Sequence, residues 1–81
     1  MRIISQSGRI DIPYEMAVVY VEYESVIAKV GDERYAMGNY STEEKAVKAM
    51  KMLIDKYVDF ISNAIFQFPQ DEDVEINNGL E

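Results

Sequence analysis

Along the first half of the chain apolar and polar positions alternate, and in the second half they recur at helical spacing. Ile3, Ile4, Ile10 and Ile12 stand among polar neighbours on either side of Ser7-Gly8, which predicts a hairpin over 2–6 and 9–12, since glycine supplies the positive φ of a tight reversal. Pro13 ends the second strand because proline cannot donate to a ladder. Residues 17–23 carry the strongest strand signal: Val19, Val21 and Tyr23 point one way, Val18, Tyr20, Glu22 and Glu24 the other. Residues 26–30 stay β-branched, Gly31-Asp32 offers a turn, and 34–37 can return antiparallel. Ser25 marks either a turn or a bulge. The expected product is an antiparallel meander of four to five strands over 2–37.

Beyond Gly38 the period changes from 2 to 3.6. Ser41 and Glu44 stand at capping-box spacing, Thr42 is the alternative N-cap, and Glu43 and Glu44 suit the positive end of a helix dipole. At 100° per residue, Ala46, Val47, Ala49, Met50, Leu53, Ile54, Tyr57, Val58, Phe60, Ile61, Ala64 and Ile65 gather within about half the circumference. Met52 falls among the lysines of the other half and is expected to be exposed. Glu44 to Lys48 and Lys51 to Asp55 are i,i+4 pairs that add about 0.2–0.5 kcal/mol each. The helix is expected over 42–64, ending ahead of Phe68-Pro69, as one long C-terminal amphipathic element that packs the meander.

Residues 70–79 are acidic and nearly without apolar side chains, so they read as a flexible tail, and Leu80-Glu81 matches the scar of a cloning site beside a purification tag. The reading is therefore a single α+β domain over 1–69, an acidic flexible tail over 70–79 and a tag remnant at 80–81.

Length and composition narrow the functional classes. Eighty-one residues support one small core, in which nearly every apolar residue has to contribute. The chain has no cysteine, so a disulfide framework is excluded and a reducing, cytoplasmic setting is expected. It has no histidine either, which removes the usual neutral-pH base and, together with cysteine, the usual zinc ligands. The first residues show no apolar signal segment, and the longest apolar run, 17–21, is far short of the ~20 residues of a membrane span. A net charge of −7 disfavours direct contact with nucleic acid or an anionic membrane.

Little remains that could carry chemistry. Glu22 and Glu24 have the spacing of paired carboxylates on one strand face, but no further acid completes a site, so a solvated edge is expected. Asp71, Glu72, Asp73 and Glu75 lack the glycine and terminal glutamate of a calcium loop. The glycines stand singly at 8, 31, 38 and 79, which excludes a glycine-rich phosphate cradle. Neither catalytic residue, nor metal ligand, nor cofactor site, nor small-molecule substrate is indicated. Tyr14, Tyr20, Tyr23, Tyr35 and Tyr40 crowd the strand-forming half, but acids rather than bases interleave with them, which favours core packing or a protein interface over base stacking. The wide apolar arc of the helix exceeds the ≳100° stripe that one sheet covers. The candidate interface residues are therefore Tyr20 and Tyr23 on the sheet and Val47, Val58, Phe60 and Ile65 on the helix. Phe66 and Phe68 beyond the helix complete the set.

The runs Ile3-Ile4-Ser5-Gln6-Ser7-Gly8-Arg9-Ile10-Asp11-Ile12-Pro13-Tyr14-Glu15 and Gly38-Asn39-Tyr40-Ser41-Thr42-Glu43-Glu44-Lys45-Ala46, with Phe68-Pro69 and the acids after it, form a recurring pattern. In them the chain resembles a family of small proteins encoded by phages, prophages and conjugative elements of Gram-positive bacteria. The resemblance implies a cytoplasmic location and a mobile-element origin, and carries with it no activity and no catalytic residue. The expected function is that of a small non-enzymatic interaction protein whose partner is itself, as a homodimer, or another protein. The alternatives are an acidic regulator that occupies the basic groove of a nucleic-acid enzyme and, less favoured, a carboxylate-based enzyme.

Overall fold

The computed structural model describes residues 1–59 and 64–76. Along them run β1 Arg2–Ile4, β2 Asp11–Pro13, β3 Val18–Glu22, β4 Ser25–Val30, β5 Glu33–Asn39, α1 Glu43–Asp59 and β6 Ile65–Gln67. Short 3-10 turns occupy Tyr14–Met16 and Asp71–Asp73. The class is α+β as expected, but the strands form two three-stranded sheets rather than one meander, ordered β2-β1-β6 and β3-β4-β5.

The first sheet joins the two ends of the chain. β1 and β2 are the expected antiparallel hairpin, turned at Gly8 with φ +80° and closed by Gly8 N–H on the Ser5 carbonyl at 2.9 Å. β6 then adds parallel to β1, so that Ile3 lies between Ile12 and Phe66. This corrects two expectations: the helix does not extend to 64, and it is a mid-chain element rather than the C-terminal one. The alternation Ile65-Phe66-Gln67-Phe68 has strand period, and its two phenylalanines enter the core while Ile65 and Gln67 stay outside.

The second sheet is a pure meander with two-residue loops. Glu22 pairs with Ser25 around Tyr23-Glu24, and Val30 with Glu33 around Gly31-Asp32. Both loops place their first residue at positive φ, +56° for Tyr23 and +60° for Gly31. A bulge does occur in β4–β5, but at the Val26/Ile27 register shift opposite Met37, and Ser25 simply opens β4.

α1 packs across β3 and β4. Lys45 N–H donates to Thr42 Oγ1 at 3.2 Å, so Thr42, not Ser41, caps the helix, and Ser41 N–H goes instead to the Asp71 carboxylate at 2.8 Å. The buried line is Ala46, Ala49 and Leu53, narrower than the expected arc. Small side chains at 46 and 49 let the helix sit close to the sheet, which rolls Met52 against the core rather than into solvent and leaves Val47, Ile54 and Val58 outside.

One core, with Ile3, Val26, Met37, Leu53, Phe68 and Val74 at its centre, serves both sheets. Val74 belongs to the segment expected as a tail: residues 70–76 are docked through the Asp71–Asp73 turn, and 77–79, like 80–81, lie outside the described residues. The docking is polar at its start. Asp71 takes the Ser41 N–H and approaches Lys45 Nζ at 3.6 Å, and these contacts, Ser41's backbone first, hold its carboxyl below the usual carboxylate range.

Gln6 ties the sheets together. Its backbone N–H donates to the Met37 carbonyl at 2.6 Å, and its side-chain amide accepts from Asn39 N–H at 3.0 Å while donating to the carbonyls of Asn39 and Pro69 at 3.2 and 3.0 Å. The amide thus imitates a strand along the end of β5. Tyr40 completes the junction, its buried hydroxyl donating to the Pro69 carbonyl at 2.8 Å. Burial, and secondarily the Asp71 carboxylate, pushes that phenol up to about 12. A β-carbon at Gly38 would lie 2.8 Å from the Tyr40 ring, so this glycine is required by close approach.

Candidate interaction surface

Among the described residues the apolar side chains left at the surface fall into three groups. The first is the outer side of α1. Val47, Ile54 and Val58 are 7 and 4 residues apart, which at 100° per residue puts them within about 40° of one another on a single line. All three are exposed, Val58 at 75%. Beside them Tyr57 stacks edge-on against Tyr14, with ring centroids 4.8 Å apart, and fastens the end of the helix to the turn that precedes β3. An open depression by the first turns of α1 is lined by Glu43, Glu44, Val47, Lys48 and Ile76.

The second group begins at Met16 and Val18 and continues along the edge of β3, with Val19, Tyr20 and Val21 half-buried. On the outer face of this sheet Arg34 reaches over the Tyr20 ring at 5.8 Å and ion-pairs with Glu22. The Glu22 contact, followed by Tyr20, raises the pKa of the guanidinium. The meander tip belongs with this group: Tyr23 is 80% exposed in a left-handed conformation that a bulky residue rarely adopts. The third group is Ile65 on the outer side of β6, in the same row as Arg2 and Pro13.

Of the residues expected at an interface, Tyr23, Val47, Val58 and Ile65 are exposed and Tyr20 is half-buried under Arg34. They do not form one patch from one element, because the helix ends before Ile65. Phe66 and Phe68 are core residues, perpendicular to each other with centroids 5.1 Å apart, and so are not available to a partner. Phe60 lies outside the described residues. Sequence reasoning did not single out Met16, Val18 and Ile54. Ile54 stood among the other apolar positions of the helix arc and Val18 among the alternating positions of its strand, and period alone does not tell which of them stay uncovered.

The acids do not assemble a site. Glu22 faces Arg34 while Glu24 sits in the hairpin loop, its carbonyl receiving Tyr40 N–H at 2.9 Å. Among the described residues no group of three or more His, Cys, Asp or Glu side chains is placed to hold a metal ion, and no helix is long and apolar enough to cross a membrane. Nor do the tyrosines make a platform: Tyr40 is in the core, Tyr35 half-buried against it, and the others lie at separate places on the surface. Comparison with protein-family models, curated proteins and solved structures finds no match for this chain.

Proposed function

We propose that the chain is a non-catalytic interaction protein that associates with a copy of itself or with another protein. The observation that carries this reading is the exposed line Val47, Ile54 and Val58 on α1, about a third of a turn round the helix from the buried line Ala46, Ala49 and Leu53. A helix whose apolar residues occupy two lines has only one of them covered by its own sheet. Burying a valine or isoleucine yields about 1.5–3 kcal/mol, so an uncovered line of three is a source of binding energy once a partner excludes water from it.

A photo-crosslinking amino acid at position 58 tests the reading in the full chain. Irradiation of cells or purified protein is expected to give discrete protein adducts, which Val47→Lys together with Ile54→Lys abolishes without lowering the melting temperature. A chain that gives no adduct under either condition, or whose adducts survive both lysines, overturns it.

A further inference from the structure

Among the described residues four strands lie at sheet edges, β2 and β6 in one sheet and β3 and β5 in the other. An edge offers unpaired N–H and C=O groups, and proteins blunt such edges with proline, charge, bulges, shortness or cover. β2 has three residues and ends in Pro13, and β6 has three residues. β5 begins with Glu33 and Arg34, is bulged at Met37, and has Gln6 along its far end. β3, by contrast, reads Val-Val-Tyr-Val-Glu in unbroken register with β4. Its one charge, Glu22, is at its end and is held by Arg34. Among the described residues nothing pairs with its outer side.

The phase of the strand follows from its hairpin. With a two-residue loop, Glu22 and Ser25 exchange backbone hydrogen bonds, and the alternation of an antiparallel ladder turns Val18, Tyr20 and Glu22 toward β4 and the amides of Val19 and Val21 outward. Burial agrees with an open flank: Val19 and Val21 are half-buried while their partners Ala28 and Val26 are fully buried.

We propose that β3 pairs antiparallel with β3 of a second copy across a two-fold axis at Tyr20, joining the two meanders into one six-stranded sheet. In this register Val19 and Val21 of each copy exchange hydrogen bonds with Val21 and Val19 of the other, so every outward amide of the pair is satisfied. With the axis at Val19 instead, the pairing would need the N–H of Ala17, which is already given to the Tyr14 carbonyl at 3.0 Å. With the axis at Val21 it would need an extended Tyr23, whose φ is +56°. The strand is therefore complementary to itself in one register, which selects a second copy over an unrelated strand. Tyr20 then faces Tyr20, Val18 faces Glu22, and no like charges stand opposite each other. Both copies of α1 lie on the same face of the joined sheet. The net charge of −7 per chain opposes association, so the dimer tightens as salt is added.

This inference rests on the reading of the chain as an interaction protein but uses a surface separate from the α1 line, so the two fail separately. Light scattering of the wild type at several hundred micromolar is expected to give twice the 9.3 kDa chain mass. Val21→Pro, which deletes an outward N–H and leaves the β3–β4 ladder whole, is expected to give a monomer that still unfolds cooperatively. The chain has no cysteine, so Tyr20→Cys gives a clean second readout. The facing Cα atoms of such a non-hydrogen-bonded pair are about 4.5 Å apart, within disulfide range. Mild oxidation is expected to link Tyr20→Cys into a dimer and to leave Val18→Cys unlinked. A monomeric wild type, a dimeric Val21→Pro, or a dimer in which Tyr20→Cys does not cross-link overturns the proposal.

Discussion

The two sheets are built on opposite plans. The β3-β4-β5 meander joins neighbours in sequence through two-residue loops, whereas the β2-β1-β6 sheet pairs Arg2–Ile4 with Ile65–Gln67 from the far end of the chain. The meander has strands of five to seven residues, and the other sheet has strands of three. Such short strands supply few ladder bonds, and side chains make up the difference. Besides the Gln6 ties, Gln67 Nε2 donates to the Ser5 carbonyl at 3.3 Å and Gln70 Nε2 to the Gln6 carbonyl at 2.9 Å. Buried Ser5 accepts from Ile10 N–H at 3.2 Å through its hydroxyl. A long-range sheet in a small protein thus needs specific polar ties in addition to apolar cover, because closing a loop of about 60 residues costs entropy that three ladder positions do not offset.

The contrast can be broken most severely at Phe68, whose ring is fully buried just after β6. Phe68→Ala should cost about 3–5 kcal/mol, read from urea unfolding, which is a large share of the usual ~5–15 kcal/mol of total stability. Gln6→Ala should cost about 1–3 kcal/mol, because it removes three hydrogen bonds at once, two to the backbone of Asn39 and one to the Pro69 carbonyl, which is left with the Tyr40 hydroxyl alone. Ser25→Ala, which removes only an exposed hydrogen bond to the Asn39 side chain within the meander, should stay within about 0.5 kcal/mol of wild type. Equal effects of these two substitutions would remove the distinction drawn between the sheets.

The hairpin tips sharpen the picture inside the meander. Gly31 occupies its positive-φ position without strain, and Tyr23 occupies the equivalent one with a β-carbon. Tyr23→Gly should therefore stabilise the protein by roughly 0.5–1 kcal/mol, while Gly31→Ala should destabilise it by about 1 kcal/mol, both from urea midpoints at constant m. The smallest effects are pH-dependent and belong to the docked segment. The pKa of Asp71 is depressed in the folded state, so its contribution is full above the unfolded value of ~3.9 and is lost as pH falls through the folded value. A fall in the protection of the Ser41 amide relative to its intrinsic exchange rate below pH 4, absent in an Asp71→Ala chain that has no carboxylate to accept from it, is the expected observation by NMR. At the other extreme the Tyr40 phenol should ionise near pH 12, and its contribution is lost as pH rises from the unfolded value of ~10 through that point. Ultraviolet titration, with Tyr40→Phe as control, checks the assignment.

Much of this was legible in the residues. The first hairpin with its Gly8 turn, the Gly31 turn, the three meander strands and the start of the helix all followed from period, β-branching and local turn or cap chemistry. What failed were readings that depend on a distant partner. Ile65-Phe66-Gln67-Phe68 has the alternation of a strand, but four residues after a helical pattern fit either period until β1 is beside them. Val74 looked like one apolar residue in an acidic tail, and only the folded core shared by both sheets gives it a place out of water. The candidate surface was recovered in part for the same reason. Side chains on the outer helix face can be grouped by angle, but which face is outer depends on how closely Ala46 and Ala49 approach the sheet.

By itself the sequence determined the α+β class, the local elements between 2 and 59, and the lack of cysteine and histidine. Each of these is set by residues near one another in the chain or by composition alone. Tertiary structure decided the split into two sheets, the docking of residues 70–76, the roll of α1 and the open edge of β3. These are choices among pairings that local propensity leaves nearly equal, and they are made by the one arrangement that buries Ile3, Phe66, Phe68 and Val74 together while giving Gln6 and Ser5 their hydrogen bonds.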